Sequence, residues 1–177
     1  VQGRLARLTD TRAGKAAREF FYGALELEER KHEVQLFEVD IGPDAPAGSR
    51  LFEYLYKLHL TPSKTNASLI RQLRSSLPVI NSCDVVVATA SGIAYGLALL
   101  SVCRQLHVPL IAIHCGIANH SLRRRRRLLN SLLLRQSWTM LYGDGEFKPV
   151  QKMFKVPAER LWVNQFGVDT SFWRPAQ

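Results

Sequence analysis

Three groups of residues in this chain have types and spacings that could do chemistry. The first is His114, which follows the apolar run Val108–Ile113 and opens the segment Cys115, Gly116. A neutral imidazole at the end of a buried strand can bind a hydroxyl or handle a proton near neutral pH. A histidine simply hydrogen-bonded at a strand end fits the same pattern. The second group is Arg12, Gly14 and Lys15, ahead of an apolar helical spacing that begins at Ala16. A glycine that lets backbone approach closely, free amides at a helix start and two cations are the parts of an anion site. The run is neither a GxGxxG nor a Walker loop, and a solvated turn has the same composition. Asp144 and Glu146, which flank Gly145, read as a helix cap rather than a catalytic pair.

The third group is the run Arg123, Arg124, Arg125, Arg126 and Arg127. Five successive residues cover more than one helical turn, so they surround the axis instead of forming a stripe. They occupy amino-terminal turns, where the helix dipole disfavours each exposed cation by roughly 0.3–1 kcal/mol, a cost that an external anion relieves. Leu128, Leu129, Leu132, Leu133 and Leu134 follow, giving an apolar face beside the cations, as in helices that lie at an anionic membrane surface. A solvated surface with its leucines in the core accounts for the same residues. A nucleic-acid patch lacks the interleaved aromatic residues that stack on bases.

The elements that must position these residues follow from apolar periodicity. Leu5–Leu8 reads as a strand, Ala16–Leu27 as a helix and Val34–Val39 as a second strand, together a β-α-β unit. Gly42–Gly48 is a loop by composition. Leu51–Leu60 and Ser68–Leu77 read as helices, the second ended by Pro78. Val85–Ala88, a continuous β-branched run, reads as a central parallel strand buried on both faces. Helices are expected over Ile93–Leu106, Ser121–Gln136 and Gly145–Phe154, and further strands over Val108–Ile113, Trp138–Tyr142 and Leu161–Val163. The alternation predicts an α/β class, a Rossmann-like open parallel sheet with helices on both faces. Ligands bind such sheets at the carboxyl ends of the strands. That rule singles out the loops Thr9–Lys15, Thr89–Gly92, His114–Asn119 and Gly143–Glu146, and with them Thr89, Ser91 and Gly116.

Composition narrows the class. With 46% hydrophobic and 22% charged residues the chain is no disordered, collagenous or disulfide-framed polypeptide, and 177 residues suit one domain. No apolar run approaches the roughly 20 residues of a spanning helix. The first ten residues lack a secretory h-region, so a cytoplasmic location is expected. Cys83, Cys103 and Cys115 sit in apolar or helix-like surroundings and read as free thiols, and without CxxC or HxxxH spacing no metal site is expected. The net charge is +9, and residues 121–177 hold 11 of the 24 basic side chains against 4 of the 15 acidic ones. A cationic face on an otherwise ordinary domain suits an acidic lipid, a nucleic acid or a phosphorylated substrate.

The segment Val156-Pro157-Ala158-Glu159-Arg160-Leu161-Trp162-Val163-Asn164-Gln165-Phe166-Gly167-Val168-Asp169-Thr170-Ser171-Phe172-Trp173-Arg174-Pro175 resembles the piece that joins the two domains of family 4 ("group 1") glycosyltransferases of the GT-B fold. Other stretches resemble that family in the right order. They are Gly14 in the first loop, HEVQLFEVD from His32 to Asp40, CDVVVATAS from Cys83 to Ser91, and VPLIAIHCG from Val108 to Gly116. Ala13-Gly14 stands where the family has two glycines, Gln165-Phe166-Gly167 where it has Asn-Gly, and Lys31 where a glycine precedes the histidine.

The resemblance implies the amino-terminal, acceptor-binding half of a retaining glycosyltransferase that moves a sugar from a nucleotide-sugar donor. Residues 1–163 would be its Rossmann-like domain and 164–177 the start of the interdomain segment, with a donor domain beyond this chain. Arg12, Gly14 and Lys15 would face the donor's phosphates, and His114 would be the cleft histidine beside the transferred sugar. Thr89, Ser91 and Gly116 would belong to acceptor-side loops, and Asp169 would be mostly structural. No cofactor is implied besides the nucleotide-sugar co-substrate. A lipid-linked acceptor would suit peripheral attachment to an anionic membrane through Arg123–Arg127. The residues alone leave two other readings open: a non-catalytic Rossmann-like module holding a phosphorylated ligand, and a basic nucleic-acid-binding protein.

Overall fold

The structure, a computed structural model, describes residues 5–39, 54–55, 58, 61–62, 64–119, 124–165, 167, 170 and 172–173. The loop Gly42–Gly48 and seven of the ten residues of the helix expected over Leu51–Leu60 lie outside the described residues, as do Arg123 and Asp169. The chain divides into two compact units, Ile41–Gln165, and Val1–Asp40 with Phe166–Gln177.

The larger unit is an α/β Rossmann-like sheet of four parallel strands: β1 (Val86–Ala88), β2 (Leu110–His114), β3 (Trp138–Tyr142) and β4 (Leu161–Asn164), in the order β1-β2-β3-β4. Register places Ala88, Ala112, Thr139 and Leu161 in one cross-strand row, and His114, Leu141 and Val163 in the row two residues on, which faces the same way. The first row is almost fully buried, with no member more than 4% exposed. Two helices cover this face: one over Ser91–Val102 packs on β1 and β2, and one over Asp144–Phe154 packs on β3 and β4. On the opposite face Val87 and Trp162 are 43% and 47% exposed, and Trp162 stacks on Trp138 with ring centroids 5.3 Å apart.

Among the described residues the run Val85–Ala88 is therefore not a central strand. It is one of the two edge strands, the other being β4, and Val85 as well as Val87 reaches solvent. A β-branched run declares a strand but not its place in the sheet, which pairing with β2 alone decides here.

A helix over Ala67–Ile80 precedes β1. The Asn66 side chain caps it, accepting the Leu69 amide at 2.7 Å, and Leu69, Leu73, Leu77 and Ile80 form its buried stripe. It runs through Pro78 rather than ending there, because so near the carboxyl end a missing N–H forfeits a single intrahelical bond. The Asn81 side chain then ties down the approach to β2, donating to the Gln105 carbonyl at 2.8 Å and accepting the His107 amide at 2.9 Å. Cys103 and Cys115 are exposed rather than apolar-packed, since they fall in the turns that follow a helix and β2.

The smaller unit departs from the expected β-α-β. Leu5–Arg7 is a 3-10 turn leading into a helix over Leu8–Arg12, and the Thr11 hydroxyl donates to the Arg7 carbonyl at 2.9 Å, a contact only helical geometry makes. The single helix expected from Ala16 to Leu27 is two pieces, a 3-10 turn over Arg18–Phe21 and a helix over Ala24–Glu29. Tyr22 and Gly23, at φ 52° and 85°, break it with two left-handed residues. Val34–Val39 keeps its alternation, with Val34 and Leu36 packed against Phe21, Ala24 and Leu25, yet it forms no strand.

Among the described residues, helices are labelled in chain order α1 (Leu8–Arg12), α2 (Ala24–Glu29), α3 (Ala67–Ile80), α4 (Ser91–Val102), α5 (Arg124–Leu134) and α6 (Asp144–Phe154).

Candidate functional site

The carboxyl ends of β1 and β2 and the amino-terminal turns of α4 and α6 meet around His114. His114 is the last residue of β2 rather than the first of the loop, and it is 1% exposed. Its ring lies against Tyr95, centroids 5.4 Å apart, and its Nδ1 lies 3.0 Å from the Ser91 hydroxyl. Ser91 and Tyr95 are four residues apart on α4, so one helical face supplies both contacts. Nε2 of His114 is enclosed and has no hydrogen-bond partner.

Burial, with the Lys64 charge adding to it, pushes the His114 pKa down from 6.5 to about 4. The imidazole is therefore neutral at physiological pH, the form in which it can bind a hydroxyl. A serine hydroxyl can donate or accept, so Nε2 can take either complementary role toward a ligand oxygen. Burial likewise raises the Tyr95 phenol, which stays protonated beside it.

Two further contacts shape the rim, and sequence spacing announces neither. Gly116, at φ 69°, donates its amide to Glu146 Oε1 at 2.5 Å, while Glu146 Oε2 is buried without a partner. Glu146 lies in the first turn of α6 and so holds the loop after β2 across thirty residues of sequence. It does not serve as the cap expected of it. At the start of α4, a Cβ on Gly92 would come 2.3 Å from the Lys64 carbonyl oxygen. Glycine there lets the Lys64 backbone sit against the helix, bringing the Lys64 charge into the electrostatic environment of His114. An apolar helix start gave no sign of this approach.

Of the residues singled out by sequence, Ser91 and His114 are in contact, and Thr89 and Gly116 follow the neighbouring strands β1 and β2. Arg12, Gly14 and Lys15 belong to the smaller unit. Their loop follows the carboxyl end of α1 rather than a strand, and the amides of Ala13, Gly14 and Lys15 donate to the Thr9, Thr11 and Asp10 carbonyls. The amides of the expected anion cradle are therefore spent within the turn. Arg12 forms a two-pronged bond to Glu28 at 2.8 and 2.9 Å.

The leucines after the arginines divide between core and solvent. Leu133 and Leu134 are buried, whereas Leu128 and Leu132 are 65% and 48% exposed. Arg124, Arg125 and Arg127 are exposed and Arg126 is half-buried. Among the described residues no helix is long and apolar enough to cross a membrane, and no group of three or more His, Cys, Asp or Glu is placed to hold a metal ion. Comparison of the chain with protein-family models, with curated proteins and with solved structures finds no match.

Proposed function

We propose that the chain is the acceptor-binding half of a retaining glycosyltransferase, in which His114 contacts a hydroxyl of the transferred sugar. The observation that carries the reading is the neutral His114 at the carboxyl end of β2, with Nδ1 engaged by Ser91 and Nε2 unpartnered. A buried polar atom with no partner costs free energy unless a ligand or water satisfies it, and a sugar hydroxyl supplies the required donor or acceptor. The resemblance of the segments around Cys83–Ser91, Val108–Gly116 and Val156–Pro175 to family 4 enzymes supports the same assignment.

In this reading Ser91 fixes the imidazole, Tyr95 excludes water from its flank, and the Gly116–Glu146 bond sets the loop that borders the acceptor. A second Rossmann-like domain would supply the nucleotide-sugar pocket and close the cleft, orienting both substrates. The test is sugar transfer by the natural protein that contains this chain, from labelled nucleotide-sugars. His114→Ala is expected to lower turnover roughly 100-fold, the scale of a lost positioning contact, with the folded state intact. Undiminished turnover in His114→Ala, or no transfer or hydrolysis of any nucleotide-sugar, overturns the assignment.

A further inference from the structure

A concave surface lies between α5 and α6. It is a groove of about 690 Å³ lined by five cationic residues: Arg124, Arg127 and Arg135 from α5 and its end, Lys152 and Lys155 from α6 and its end. No acidic side chain lines it. The helices are pinned there by a bond from the Ser131 hydroxyl to the Phe154 carbonyl and by Arg135, which donates to the Lys155 carbonyl at 3.2 Å. Leu128 and Leu132, one helical turn apart, line the same groove and are the exposed leucines of α5. Sequence alone showed the arginines but not that lysines twenty-five residues further on would join them.

This combination has a specific counterpart. Like charges gathered without a carboxylate repel one another, and Arg124 and Arg127 also lie in the first turn of α5, at the positive end of its dipole. An anion relieves both. The apolar ridge is of no use to a free phosphate ion and calls for a ligand with hydrocarbon beneath its charge. Aromatic side chains that would stack on bases are absent from the lining.

We propose that the groove is a docking surface for an anionic bilayer, its cations pairing with lipid phosphates and carboxylates while Leu128 and Leu132 enter the interface. It would act whatever ligand the His114 site takes, and it calls for no spanning helix.

The experiment is co-sedimentation of the full chain at physiological salt with vesicles of phosphatidylcholine alone or mixed with phosphatidylserine. Binding is expected only with the anionic lipid. The triple variant Arg124→Gln, Arg127→Gln, Lys152→Gln should weaken it roughly 100-fold, given the usual contribution of each cation near an acidic surface. Leu128→Ser with Leu132→Ser should weaken it about 10-fold through lost insertion. All five side chains are exposed or line the groove, and a far-UV spectrum matching the parent verifies folding. A charge-matched control, Arg30→Gln, Lys31→Gln, Arg104→Gln, should bind like the parent. Equal binding to both vesicle types, equal loss in the control and the groove variant, unchanged binding in either groove variant, or tighter binding to duplex DNA than to anionic vesicles at the same salt would overturn the proposal.

Discussion

His114 Nδ1 and Ser91 Oγ lie 3.0 Å apart, joining the last residue of β2 to the first residue of α4. The bond occupies one imidazole nitrogen with a protein group, while the other, Nε2, is buried without a hydrogen-bond partner. It also explains how a histidine only 1% exposed is tolerated where the sheet ends.

The first prediction concerns pH. The folded pKa of His114, about 4, lies below its ordinary 6.5. Between those values the unfolded chain binds a proton that the folded chain does not, so stability falls as pH drops below 6.5 and levels off below about 4. Urea unfolding of the parent and of His114→Gln at pH 7.5 and pH 5 isolates this contribution. The parent should lose about 2 kcal/mol more than the variant on going to pH 5. Equal losses would mean that His114 is protonated in the folded state.

Gly92→Ala should destabilise the larger unit by about 1–3 kcal/mol, since its Cβ meets the Lys64 carbonyl oxygen, a backbone atom with little freedom to yield. Gly96→Ala provides the contrast. Its Cβ would lie 2.5 Å from Leu73 Cδ1 and 3.2 Å from Ile70 Cδ1, both ends of flexible side chains. Alanine also gains about 1 kcal/mol of helix propensity over glycine. Thermal melts should therefore show the larger drop for Gly92→Ala, and a reversed order would displace the Lys64 contact from its role.

Glu146→Ala removes the acceptor of the Gly116 amide and should cost about 1–3 kcal/mol, the usual loss when a partly buried donor is left unmatched. Glu146→Gln keeps an acceptor oxygen and should cost less than half of that. Hydrogen exchange at the Gly116 amide reads the loop directly: fast in Glu146→Ala, protected in the parent and in Glu146→Gln.

Arg12→Ala should change stability by less than about 1 kcal/mol despite its two short bonds, because the guanidinium side chain is 54% exposed and the pair with Glu28 is solvent-screened. Chemical denaturation checks this, and a loss above 2 kcal/mol would show a role that the exposed pair does not explain.

The sequence by itself determined the class of the larger unit. The apolar runs at 108–113, 138–142 and 161–163, with helical spacing between them, announce parallel strands and their connections because period and burial are local properties of the chain. The same logic put His114 at a strand's carboxyl end, within one residue of its place. Local signals failed where two readings compete over few residues. Leu5–Leu8 satisfies a short strand and a helix alike, and Val34–Val39 alternates like a strand without forming a ladder. Only the tertiary structure decided that Val86–Ala88 lies at an edge of the described sheet, that Glu146 holds Gly116, that Lys64 presses on Gly92, and that Lys152 and Lys155 join the arginines of α5. Each joins residues far apart in the chain or sets an element's place among its neighbours. Such relations follow from how elements pack in three dimensions, which no window of sequence contains.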